Sequence, residues 1–179
     1  MVENNGWLSA ARKVPSPNFD ERPNPEDVSL LVIHNISLPP GRFGTGCIEQ
    51  FFCNELDFEG HPFFNRIRGV EVSAHFLIKR DGELVQFVST SKRAWHAGRS
   101  LFQGRERCND FSIGIELEGT DDQPYTGEQY HRLREVTAEL MERFPAINPD
   151  RIVGHSDIAP DRKTDPGPAF DWFRYKSSL

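Results

Sequence analysis

The chain predicts an α/β fold with one sheet covered by helices on its faces, and three features of its sequence carry that prediction. Short apolar, β-branched runs recur as strand-like segments, a stretch around residues 126–144 has a helical period, and an Asp-Gly pair joins two of the strands. A length of 179 residues suits a single domain, which needs no disulfide or metal merely to hold its core. Any metal in such a domain is expected to serve function.

In chain order, residues 1–29 read as an extended arm packed on the domain, because Pro15, Pro17, Pro23 and Pro25 punctuate polar sequence; a short helix is expected at 7–12. Leu30-Leu31-Val32-Ile33 is wholly apolar, the pattern of a buried strand that delivers His34-Asn35 at its end. Residues 37–70 are irregular and punctuated by Gly and Pro, with one short helix over 48–56. A stretch this long between strands is more often functional than idle, and its composition would permit a moving lid. The runs 72–79 and 83–88 flank Arg80-Asp81-Gly82 and predict an antiparallel hairpin. Phe111, Ile113, Ile115 and Leu117 alternate with Gly114 and Glu116, which gives that strand a buried face and a second face free for another purpose. From Thr126 the stripe Tyr130, Leu133, Thr137, Leu140, Met141 and Phe144 is helical, with Thr126 and Gln129 as a capping box and Pro145 as the stop. Residues 151–155 read as a short strand and 171–175 as a last helical turn or two.

Charge and composition exclude several functions. With 21 basic against 27 acidic residues the net charge is −6, the wrong sign for general affinity to nucleic acid or an anionic membrane. No apolar run approaches the ~20 residues of a membrane span, and the first residues have no basic or apolar leader pattern. Three cysteines, Cys47, Cys53 and Cys108, are too few for a disulfide scaffold and fit a reducing compartment. A soluble, cytoplasmic, monomeric protein is expected. One window departs from the whole: Lys92, Arg93, Arg99, Arg105 and Arg107 against Glu106 give a local +4 around Trp95-His96-Ala97-Gly98. Arginine beside an aromatic ring suits a carboxylate-bearing ligand with a flat face, whereas the plainer reading is a solvated basic loop anchored by Trp95.

Candidate chemistry begins with His34 and His155, each directly after a short apolar strand, where sheets present functional side chains. A catalytic zinc takes three protein ligands and keeps its fourth position open. Asp157, Asp161 and Asp165 are all within reach as the third, and spacing does not choose among them. Against this stands the reading of two satisfied structural histidines, since no H-E-x-x-H pattern is present. Glu116, on the non-core face of its strand, is the candidate base, although a glutamate there is usually solvated and Glu118 can fill either role. Arg162-Lys163 is either a surface charge run or a cation placed to stabilise an oxyanion.

Several segments occur together and in order: Gly6-Trp7-Leu8, Leu31 to Pro40, Ser73-Ala74-His75, Trp95-His96-Ala97-Gly98, Gly104 to Thr120, Gly154-His155 and Arg162 to Pro168. Across nearly the whole chain they resemble the zinc amidase family that includes phage T7-type lysozyme and the peptidoglycan recognition proteins, and within it the cytoplasmic 1,6-anhydro-N-acetylmuramyl-L-alanine amidases. The resemblance implies a mixed central β-sheet flanked by helices, and zinc held by His34, His155 and Asp165. Many relatives carry cysteine at the third position, so the aspartate points to the anhydromuramyl branch, and the three cysteines are not ligands. By the same resemblance Glu116 positions and deprotonates the attacking water, and Lys163 faces the oxyanion. The substrate would be a 1,6-anhydromuropeptide from wall recycling, which also signals for β-lactamase induction. Asn35, Trp95, His96 and Arg107 are the expected substrate contacts, while His75 is expected behind the site or in a structural role. The competing reading is a non-catalytic peptidoglycan-fragment binding module; such modules typically lose a metal ligand, and none of the three is missing here.

Overall fold

The computed structural model describes residues 5–179; residues 1–4 of the expected arm lie outside the described residues. In chain order the elements are β1 (Arg12–Lys13), β2 (Phe19–Glu21), β3 (Leu30–Ile36), α1 (Cys47–Phe52), β4 (Phe76–Ile78), β5 (Leu84–Gln86), β6 (Lys92–Ala94), β7 (Leu101–Phe102), β8 (Arg105–Glu106), β9 (Ser112–Glu118), α2 (Gly127–Arg143), β10 (Ile152–Gly154), α3 (His155–Ile158) and α4 (Trp172–Lys176). Short stretches of tight 3-10 helix lie at Pro62–Ile67, Cys108–Asp110 and Pro149–Arg151.

Six strands form one sheet in the order β1-β5-β4-β9-β3-β10. Only the β4–β5 hairpin is antiparallel within it, so the sheet is mixed, as expected. One face carries Leu31 and Ile33 of β3, Phe76 and Ile78 of β4, and Ile113, Ile115 and Leu117 of β9, packed against Leu133, Val136 and Leu140 of α2 and against Tyr175 of α4. The opposite face is divided. Near β4 and β5, Leu77, Val85 and Phe87 pack on Ile48, Phe51 and Phe52 of α1, while Leu30 and Val32 meet Ala97, Phe111 and Ile158.

Helix α2 begins as its sequence dictates, with Thr126 Oγ1 accepting from the Gln129 amide and the Gln129 side chain accepting from the Thr126 amide. Gln129 also donates to the carbonyls of Ile78 and Glu118, which fixes the helix against the carboxyl ends of β4 and β9.

Three expectations need correction. Residues 7–12 do not form a helix: the Leu8 amide donates to Gln86 Oε1 at 2.8 Å and Arg12–Lys13 join β5 in parallel, so the sheet edge satisfies backbone groups that a helix would have paired internally. The second face of β9 is buried like the first, because the 95–97 segment covers it. His155 belongs to the first turn of α3 and not to the strand before it.

Candidate metal centre and active site

Strands β3, β9 and β10 run parallel, so their carboxyl ends meet at one side of the sheet, where open α/β sheets build their sites. The register pairs His34 with Glu116, placing both on the face away from α2. Val153 pairs with Val32 and Gly154 with Ile33, which brings His155 beside His34. The following loop turns back, its Asp165 carbonyl accepting from the Ser156 amide at 3.0 Å. As a result His34 Nδ1 lies 3.0 Å from His155 Nδ1, and Asp165 Oδ2 lies 3.1 Å from each. This group is the one that satisfies the geometry of a metal-holding cluster among the described residues.

The donor set fits a cation. His155 Nε2 faces the Ala97 carbonyl at 3.1 Å, and a carbonyl only accepts, so the proton of the neutral ring sits on Nε2 and Nδ1 is a bare lone pair. A bare nitrogen beside a carboxylate oxygen is repulsive unless positive charge lies between them. Zinc bonds of about 2.0–2.1 Å at tetrahedral angles separate ligand atoms by roughly 3.3 Å, close to the edges of this triangle. Burial pushes His34 down to about 4, leaving it in the neutral form that binds metal.

Glu116 is buried beside this triangle, and its Oε2 has no hydrogen-bond partner among the described residues. Burial, followed by the charge of Asp165, raises its pKa well above the ordinary carboxylate value, and Lys163 opposes the rise. A buried oxygen without a partner is costly, and clefts that tolerate one usually use it. Glu118 plays a different part, since its carboxylate accepts from the backbone amides of Gly44 and Arg80 and so ties the 37–46 loop to the end of β9.

The profile of the N-acetylmuramoyl-L-alanine amidase family matches residues 24–168. The chain belongs to the N-acetylmuramoyl-L-alanine amidase family. It is 61% identical to the 1,6-anhydro-N-acetylmuramyl-L-alanine amidase AmpD of Enterobacter cloacae over 179 residues, covering 100% of this chain and 95% of that protein. AmpD of Escherichia coli K12 is 59% identical over 176 residues, 98% of this chain and 96% of that one. A crystal structure of a selenomethionine AmpD derivative superposes with a TM-score of 0.96 at 57% identity, covering 100% of this chain and 99% of that one. The complex of AmiD from E. coli with anhydro-N-acetylmuramic acid-L-Ala-D-gamma-Glu-L-Lys gives 0.63 at 28% identity, with 99% of this chain but 65% of that one covered.

In this amidase a cleft of about 570 Å3, lined by Asn35, Asp121, Arg162, Lys163 and Asp165 among others, opens over the site. Asn35 commits its side-chain amide inward, donating to Asp121 Oδ1 at 2.8 Å and to the Pro166 carbonyl at 3.1 Å. His96 is turned toward the metal cluster: its Nδ1 is 2.9 Å from His34 Nε2 and its Nε2 is 3.1 Å from Ser112 Oγ. Gly114 makes this possible, because a Cβ there would stand 2.5 Å from the imidazole. Burial, and after it the closeness of the His34 ring, holds His96 well below the ordinary histidine range. His75 lies behind the site, accepting from the Gly114 amide at Nδ1 and meeting the Lys92 carbonyl at Nε2.

Trp95 is half-buried, its amide donating to Ser73 Oγ. Arg107 is largely exposed at a left-handed φ of 60° and lines a separate cleft of about 500 Å3 with Arg99 and Arg162. The basic window does not turn its whole charge toward a ligand. Lys92 pairs with Glu21, Arg93 with Asp20 and Asp110, Arg105 with Asp27, and Arg107 with Asp110, so acidic residues, several from the arm, neutralise much of it from within. Sequence reasoning missed Asn109, Asp121 and Ser112, whose partners come from distant segments; no local pattern marks them.

Among the described residues no helix is long and apolar enough to cross a membrane.

Proposed function

We propose that this amidase hydrolyses the bond between 1,6-anhydro-N-acetylmuramic acid and the L-alanine of the stem peptide, with zinc held by His34, His155 and Asp165. The observation that carries the reading is the triangle of three donor atoms at 3.0–3.1 Å beside the partnerless oxygen of Glu116. The anhydro sugar is favoured because the full-length relatives at 59–61% identity are named for it. Cytoplasmic recycling is the setting that suits three free thiols, and loss of the activity in cells is expected to raise β-lactam resistance through β-lactamase induction.

Zinc bound there supplies Lewis acidity, lowering the pKa of water to about 7 and polarising the scissile carbonyl. Glu116 Oε2 takes a proton from the attacking water and returns it to the L-alanine nitrogen as the C–N bond breaks. The elevated affinity of this carboxyl for a proton suits it to both steps. The Lys163 ammonium stabilises the negative charge that builds on the carbonyl oxygen. Trp95 and Arg107 are further proposed substrate contacts, Arg107 from the cleft it lines with Arg99 and Arg162, and Asn35 contributes from the wall of the cleft over the site.

The test is incubation with anhydromuropeptide, following free peptide by mass spectrometry, alongside metal analysis. Release of peptide by protein carrying about one zinc per chain is expected. Binding of the muropeptide without release would establish the non-catalytic module instead.

A further inference from the structure

We infer that His96-Ala97, pinned by Asn109, is a bracket that presents the Nδ1 atoms of both histidines to the metal, with His96 and Asn109 as positioning residues. The inference rests on the reading of His34, His155 and Asp165 as metal ligands.

Two consecutive residues serve the two rings. The His96 imidazole meets His34 Nε2 at 2.9 Å, and the Ala97 carbonyl meets His155 Nε2 at 3.1 Å. A histidine binds metal through one nitrogen only if its proton is kept on the other, and the acceptor facing that other nitrogen fixes both tautomer and ring orientation. For His155 the acceptor is a carbonyl, so the assignment is unambiguous. For His34 it is His96 Nδ1, which accepts when His96 carries its own proton on Nε2, toward Ser112 Oγ at 3.1 Å. The reverse arrangement, with the proton on His96 Nδ1, leaves His34 protonated at Nδ1 and unable to bind metal. Both ring nitrogens of His96 are thereby committed inside the protein.

One side chain sets the position of the pair. Asn109 is buried, and its Oδ1 accepts from the amides of His96 at 3.2 Å and Ala97 at 2.8 Å. Arg162 holds the Ala97 carbonyl from the other side at 2.8 Å. Asn109 lies in the turn just before β9, so the strand that carries Glu116 also locates the bracket.

The test uses the zinc-loaded protein and two readouts besides turnover: zinc affinity by competition with a chromophoric chelator, and the exchange of imidazole N–H protons by NMR. His96→Leu should weaken zinc binding about 10–100-fold and expose the His34 Nε2–H to rapid exchange, while the His155 signal persists. His96→Gln, whose amide oxygen accepts, should recover most of both. Asn109→Ala should loosen both signals and weaken zinc binding, and Asn109→Asp, which keeps the acceptor, should stay near the parent. If His96→Leu fails to fold by circular dichroism, the Asn109 pair decides the matter. Parent-like zinc affinity and intact N–H signals in both His96→Leu and Asn109→Ala would overturn this inference alone. A parent that binds no zinc would overturn the metal reading and the bracket with it.

Discussion

His34 and Glu116 stand on strands, whereas Lys163 and Asp165 stand on a loop, and different forces hold the two pairs. β3 and β9 are paired in register from Leu30 with Ser112 to Ile36 with Glu118, and both faces are packed. A slip of either strand by one residue would turn its own residue, His34 or Glu116, into the α2 core and away from the other, so their relative position is all or none. The loop has no ladder. It is tied by the Thr164 hydroxyl and the Asn35 amide donating to the Asp121 carboxylate, by the Ala169 amide donating to the Asp121 carbonyl, and by Asn35 and Tyr125 donating to the Pro166 carbonyl. Each tie can be cut separately, so the loop-borne half should weaken in steps.

The largest break is His34→Ala, which removes a proposed ligand from the strand side. Zinc content should fall from about one per chain to near zero and turnover should vanish with it; full zinc with full activity would sink the ligand assignment. Next is Glu116→Gln, expected to keep zinc and fold but lose roughly 10²–10⁴ in kcat, the usual worth of a general acid–base group. A near-normal rate would mean that another group moves the proton.

The same variant carries a pH signature in metal-free protein. Because burial raises the Glu116 pKa above its ordinary 4.5, the native state holds that proton to higher pH than the unfolded chain does. The stability contributed is present below the ordinary value and lost as pH rises through the raised one. Glu116→Gln should therefore melt above the parent at neutral pH, with the gap closing toward pH 4; a constant gap would contradict the shift.

Gly114→Ala tests the support of the strand side. The added Cβ meets the His96 ring at 2.5 Å, and overpacking of this kind costs about 1–3 kcal/mol. At about 2–4 °C per kcal/mol for a chain of this size, calorimetry should show a lower Tm, along with weaker zinc retention. Asp121→Ala is the smallest step and belongs to the loop side. It removes one acceptor from Asn35 and Thr164, a loss of about 1–2 kcal/mol, so zinc affinity should fall by no more than about thirtyfold with the fold intact. Complete loss of zinc would show that the loop is as indivisible as the strands.

Much of this was legible in the residues. The capping box at Thr126, the Asp81-Gly82 hairpin and the apolar face from Phe111 to Leu117 are local patterns whose physics lies within a few residues, and each forms as expected, although the other face of β9 is covered as well. Residues 7–12 misled because the competing partner, Gln86, lies 78 residues from Leu8. The +4 window misled for the same reason: Asp20, Glu21 and Asp27 neutralise it from an arm that is distant in the chain and adjacent in space.

The sequence alone determined the main elements, β3, the β4–β5 hairpin, β9 and α2, which face of β9 joins the α2 core, and that His34 and His155 each directly follow a short apolar run. It did so because hydrophobic period, capping and turn chemistry act over short spans. Spacing left Asp157, Asp161 and Asp165 open and only the resemblance pointed to Asp165; the tertiary structure supplies the physical reason, folding the loop so that Asp165 Oδ2 comes within 3.1 Å of both histidines. It also places the ring of His96, an expected substrate contact, against His34, since a hydrogen bond between residues 62 positions apart is set by which strands pair and by the space that Gly114 leaves.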